Sequence, residues 1–243
     1  MKLLSASGFI LLLFAGIAEA QSGSSEYSQS YVLLIKGQPA GTERVTESRD
    51  DSGDVVSKSD HEIYITDGLE TKRMAFSTRM ILSKANGMPT FYSYKYTTGN
   101  NADGYEVTVR NGRIRRVLTR GGITNETDVA APTNLAIVDF NVYHHFDYLV
   151  RRYDFKQGGR QVFADFIPLI GTDISLALTY LEEGALDLPK GTIPAQSFKI
   201  EFVGVWSGSL FADKEGRLLR LLIPAQELEV VRADLIPPAD AGN

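Results

Sequence analysis

Hydrophobic and polar positions alternate along most of this chain with a period of two, the pattern of strands that bury one face. Tyr31 to Ile35 is a nearly continuous apolar run. Gly37-Gln38-Pro39-Ala40-Gly41 reads as the turn after it, because Gly and Pro supply dihedrals that other residues resist. Thr42 to Ser48 returns antiparallel, and Asp50 to Asp54 is a second turn. In the next strand Val55, Ser57, Ser59, His61, Ile63 and Ile65 share one face, while Lys58, Asp60 and Glu62 share the wet one. Arg73 to Leu82 groups Met74, Phe76, Met80 and Leu82; Phe91 to Thr98 groups Tyr92, Tyr94 and Tyr96. Tyr105, Val107 and Val109 alternate with Glu106, Thr108 and Arg110. Asn111-Gly112 then marks a hairpin, since a type I′ turn needs positive φ twice, and Arg113 to Leu118 is the return strand.

The period changes in the middle. Thr119 to Pro132 is polar and Gly-containing and reads as a loop. Residues 139–155 carry a helical period, with Val142, Phe146, Leu149, Val150 and Tyr153 on one face. Asp139 is placed to cap that helix, and Asp147 with Arg151 makes an i, i+4 pair. Strands resume at Arg160 to Pro168, Ile174 to Leu181, Gln196 to Val205, Trp206 to Ala212, Leu218 to Ile223 and Leu228 to Val231. The expected fold is mainly β: one large, bent antiparallel sheet or partly open barrel of about a dozen strands, with the single amphipathic helix packed on it.

The ends read differently from the body. Met1-Lys2, an apolar run from Leu3 to Ile17 and then Ala18-Glu19-Ala20 form the pattern of a cleaved secretory signal. The run is shorter than the ~20 residues that cross a bilayer core. The expected organisation is a signal peptide at 1–20, a flexible mature N-terminus at 21–29, one β-rich domain at 30–232 and a tail at 233–243. That is an exported chain, periplasmic or extracellular, with no membrane span once the signal is removed. The absence of cysteine excludes a disulfide scaffold, thiol catalysis and a Cys zinc site. A formal net charge of −5 argues against non-specific nucleic-acid binding.

Candidate chemistry is sparse. On a helix His144 and His145 point about 100° apart, a poor geometry for holding one metal, so no metal site is expected. His145 reads as a packing residue. His144 falls with Asn141, Asp147 and Tyr148 in a polar cluster that could serve acid–base work. His61 reads as a core or groove-lining histidine. The sequence holds no nucleophile elbow, phosphate loop or dinucleotide fingerprint, and no cofactor is implied. Tyr92, Tyr94 and Tyr96 form either a cross-strand packing ladder or, with His61 and Phe146, the lining of an amphipathic groove.

The early strand with Gly37-Gln38-Pro39-Ala40-Gly41 is similar to the opening of several uncharacterised exported bacterial β-rich domain families. Trp206 with Asp213-Lys214-Glu215-Gly216-Arg217-Leu218-Leu219-Arg220-Leu221 resembles their closing hairpin. These families neighbour the periplasmic lipoprotein-carrier half-barrel. The resemblance implies a curved antiparallel sheet with an apolar concavity, and it transfers no catalytic residue. Three functions follow as expectations: a non-catalytic protein that binds a lipid or other apolar ligand, an envelope protein that docks another protein, and a hydrolase that uses His144.

Overall fold

The computed structural model describes residues 27–67, 70–98 and 101–237. The expected signal peptide, Gly99-Asn100 and the end of the tail lie outside these residues. The inward faces predicted from the alternation are buried over most of their length, but Ile65, expected on the inward face, is 50% exposed. On the strand Val55–Asp67, Ser57, Ser59, His61 and Ile63 are buried, and on Glu70–Leu82 so are Phe76, Met80 and Leu82.

The described residues form one sheet of fifteen strands. The first eight make a meander: β1 (Tyr27–Ile35), β2 (Gln38–Arg49), β3 (Val55–Asp67), β4 (Glu70–Leu82), β5 (Pro89–Thr98), β6 (Asn101–Arg110), β7 (Arg113–Arg120) and β8 (Ile123–Ala130). After β9 (Leu135–Ala136) and the helix α1 (His145–Arg152), a second meander runs through β10 (Arg160–Ile167), β11 (Thr172–Leu188), β12 (Gly191–Phe202), β13 (Trp206–Ala212), β14 (Leu218–Ile223) and β15 (Leu228–Arg232). β15 pairs antiparallel with β1, Leu33 facing Val230, so the two meanders join at the middle of the sheet. β8 and β9 are its edges, and β9 alone pairs in parallel, with β10.

The sheet curls until its ends meet through side chains but does not close into a barrel. Ile114, Val107, Tyr92 and Met80 of the first meander share a core cluster with Leu135, Ile137 and Phe166 from the other end. The Arg116 guanidinium of β7 donates to the carbonyls of Pro168 and Leu169 just beyond β10. Val142, Phe146, Leu149, Val150 and Tyr153, the predicted stripe, are buried inside the curl against residues such as Phe163, Leu178, Phe198 and Ile200. No helix among the described residues is long and apolar enough to cross a membrane.

Two expectations are corrected. The loop expected at 119–132 holds β8, which pairs with β7 across the Gly121-Gly122 turn. Its side chains are exposed almost throughout, so no alternation could reveal it. It is held by backbone pairing and by ion pairs Arg113–Asp128 and Arg115–Glu126 at 2.5 Å each. The helix expected over 139–155 is only His145–Arg152. Residues 139–144 form turns instead, with Asn141 at φ 61°, and His144 rather than Asp139 precedes the first helical turn. Asp139 is drawn away from capping because its carboxylate accepts hydrogen bonds from Tyr92 and Tyr105.

Candidate ligand groove and the buried network beside it

The short helix leaves part of the curled sheet uncovered. There a groove of about 430 Å³ opens, lined by Met74 of β4, Tyr94 and Tyr96 of β5, Gly104 and Tyr105 of β6, and Leu118, Thr119 and Arg120 around the end of β7. Phe140, Asn141 and Leu169 complete it from the turns. Phe140 is 55% exposed and Leu169 48%, so large apolar surface is held at the mouth without burial. Gly104 is needed: its φ is +157°, and a Cβ there would lie 2.0 Å from the Tyr94 carbonyl oxygen. Stacked rings run inward from the groove, Tyr105 to Tyr94 at 5.0 Å, Tyr94 to Phe76 at 4.6 Å and Phe76 to His61 at 4.2 Å.

The tyrosines of β5 therefore divide. Tyr94 and Tyr96 line the groove, while Tyr92 is fully buried and donates to Asp139 Oδ2 at 2.7 Å. Burial pushes the Asp139 carboxyl up, and the two tyrosine hydroxyls and the Phe140 N–H pull it back only in part. Phe146 is buried in the core and His61 lies under Phe76. Neither lines the groove.

The expected polar cluster of Asn141, His144, Asp147 and Tyr148 does not share a wet face. Asn141 is exposed, and the other three are buried. Asp147 makes the predicted pair with Arg151 at 3.6 Å and accepts the Leu218 N–H at 2.8 Å. Burial nevertheless raises its carboxyl to about 7. Tyr148 packs edge-on against the His144 ring, centroids 5.6 Å apart.

His144 belongs to a different group. Its Nδ1 bonds Glu43 Oε1, and its Nε2 lies 3.2 Å from Ser57 Oγ. Glu43 also accepts the backbone N–H groups of Tyr143 and His144, at 3.1 and 3.3 Å, and lies 3.8 Å from His61 Nε2. Ser59 Oγ links His61 Nε2 at 2.7 Å to Thr78 Oγ1 at 2.6 Å. Burial drives the Glu43 carboxyl up, but His144 and His61 and the bonds it accepts outweigh this and hold it below its ordinary value. Burial lowers His61 to about 4 against the pull of Glu43. His145 is held well below its usual range, again by burial, and its Nδ1 accepts the Asp139 N–H at 3.3 Å.

The donor atoms of Glu43, His61 and His144 lie within 4.8 Å of one another, a set that could hold a metal ion. In the structure Glu43 Oε1, both His144 nitrogens and His61 Nε2 are engaged in hydrogen bonds within the trio and to Ser57 and Ser59, while His61 Nδ1 is buried without a side-chain partner. An ion would have to displace them. The rings and carboxylate are nearly free of solvent contact, so the arrangement fastens the entry of α1 to β2 and β3 and offers no route for a substrate. The sequence reading missed Glu43. Its only signal is an acid at an inward position of β2, in phase with Val45.

No protein-family model matches this chain, and no curated protein matches it. Among solved structures it is similar to a β-barrel-like protein of the domain of unknown function DUF1849 from Brucella abortus, at a TM-score of 0.58 and 7% identity. That match covers 84% of this chain and 93% of the other. A DUF1089-family protein from Pseudomonas aeruginosa aligns over 90% of this chain and 98% of its own at 13% identity, with a TM-score of 0.43. The first likeness defines the fold class, a β-barrel-like domain, and nothing about activity.

Proposed function

We propose that this is an exported, non-catalytic protein that binds an amphipathic ligand with an apolar body in the groove between β4–β7 and the Phe140-Asn141 turn. The observation that carries this reading is the groove itself, about 430 Å³ with an aromatic and apolar wall and Arg120 at its rim. Ligand sites have this form, an apolar cleft with few polar groups to orient the occupant. The Tyr94 and Tyr96 rings supply apolar bodies with polar tips. Export rests on the sequence pattern of residues 1–20. The hydrolase alternative is not carried forward, because His144 is 1% exposed and lines no part of the groove.

Titration with a fluorescent fatty-acid probe tests the proposal on protein whose N-terminus has been sequenced after export. Saturable binding is expected, weakened at least fivefold in Phe140→Ala with thermal unfolding unchanged, because Phe140 is mostly exposed. The N-terminus is expected to read Gln21-Ser22-Gly23. No saturable uptake would leave the envelope-docking reading. One observation favours that second reading: β8 is a sheet edge whose Ile123 is 75% exposed, a form suited to strand addition by another protein.

A further inference from the structure

The groove has two chemically different ends. Leu118 and Arg120 stand two residues apart on β7, hence on one face, and both line the groove. Leu118 pairs with Tyr105 and Tyr105 with Tyr94, so three strands lay one largely apolar row across the wall. Arg120 lies one step nearer the strand ends, just before Gly121 and Gly122 turn the chain back at positive φ. The cation is therefore at the rim and the rings are inside it.

Among the described residues that line the groove, Arg120 alone carries a charge. It is exposed and has no hydrogen-bond or ion-pair partner. The other three arginines of β7 are engaged. Arg113 and Arg115 pair with Asp128 and Glu126, and Arg116 donates to the Pro168 and Leu169 carbonyls. Asn141 adds a neutral donor at the mouth: its Oδ1 accepts the Tyr143 hydroxyl at 3.4 Å, while its Nδ2 donates to nothing among the described residues. One acid stands near the rim. Asp103 of β6 accepts the Gly121 N–H at 2.8 Å, lines no part of the groove and makes no ion pair with Arg120.

We infer that the occupant is a single-chain amphiphile whose carboxylate head is held by Arg120, an inference that rests on the groove being the ligand site proposed above. A guanidinium fork matches the two oxygens and single charge of a carboxylate. A phosphate monoester brings three oxygens and close to two charges. With one cation lining the groove and Asp103 near the rim, its second charge would go unmatched. A cationic head would meet Arg120 with like charge, and a neutral head would leave the fork unused. At about 430 Å³ the groove is at the small end of ligand sites, which suits one chain rather than two.

Titration of the exported chain with a fluorescent long-chain fatty acid, and with the alcohol and the phosphate monoester of the same chain and fluorophore, separates head from body. The acid is expected to bind about fivefold tighter than the alcohol, the scale of a partly exposed charge pair, and the preference should shrink as salt rises. Arg120→Gln should abolish that preference, and Arg120→Lys should keep part of it. Arg110→Gln removes the same charge from an exposed position at the far end of β6 and should leave the preference intact. Thermal unfolding of the Arg120 variants should match wild type, because the side chain has no partner to lose. Equal binding of acid and alcohol, both weakened by Phe140→Ala, would overturn the carboxylate head and leave the groove reading standing. So would a preference for the acid that survives in Arg120→Gln, or a phosphate monoester that binds tighter than the acid. No saturable binding of any probe would remove both this inference and the function it rests on.

Discussion

At the residue scale the buried titratable groups oppose one another across the mildly acidic range. His61 is held at about 4 by burial; His144 acts in the same direction, Glu43 and Asp60 in the other. An unfolded histidine titrates near 6.5, so the unfolded chain binds the proton first as pH falls. The stability His61 contributes is whole above about pH 6.5 and is lost as pH falls to about 4, up to roughly 3 kcal/mol. His145, lowered in the same way, has the same sign. Asp147 has the opposite sign. Its folded carboxyl is raised to about 7, so its contribution falls as pH rises from about 4 to 7. The wild-type profile mixes both, and His61→Gln separates them. Between pH 7.5 and 4.5 the stability advantage of wild type over this variant, measured by urea unfolding, is expected to shrink by about 2–3 kcal/mol. A difference that stays constant with pH would show that His61 does not titrate as a buried neutral group.

At the element scale α1 acts as a plug. Phe146 is 3% exposed, at the centre of a stripe whose members all lie in the main core cluster. Phe146→Ala is expected to cost about 3–5 kcal/mol, the usual range for a buried aromatic, as read by chemical denaturation. A cost under 1 kcal/mol together with altered probe uptake would make the helix a movable lid instead. The stripe was legible in the sequence because apolar positions at helical spacing mark a buried face wherever the helix ends. The ends were not legible. Val142 and Phe146 keep the helical spacing although residues 139–144 are turns, held by contacts to Glu43, Tyr92 and Tyr105 from distant strands. β8 was hidden for the converse reason, since a strand wet on both faces leaves no apolar alternation. The groove was half legible. Tyr94 and Tyr96 share a face with Tyr92, but which of the three is buried depends on where Asp139 reaches. Glu43 and His144 are a hundred residues apart, and local periodicity carries no record of such a meeting.

At the scale of the whole molecule the open sheet must hold its curl without closing the ladder of backbone hydrogen bonds. β8 and β9 remain edges, so side chains do this work. Arg116 is the polar clasp: buried on β7, it reaches the Pro168 and Leu169 carbonyls beyond β10. Its guanidinium also occupies the space beside Gly171, where a Cβ would meet it at 3.1 Å, so the turn is shaped to receive it. The apolar cluster of Ile114, Leu135 and Phe166 closes the same seam beneath. Since Leu118, Thr119 and Leu169 line the groove at this seam, the curl that Arg116 maintains also sets the width of the groove. Arg116→Met keeps the stem and removes the donors. It is expected to cost about 1.5–3 kcal/mol, the range for hydrogen bonds from a charged group. In hydrogen exchange it should speed the amides of β7 and the 167–172 turn, while those of β1 and β15, which pair at the sheet's middle, change little. Probe binding should weaken with it as the mouth of the groove widens. Uniformly faster exchange across the sheet, or none at the seam, would show that the apolar cluster alone holds the two ends together.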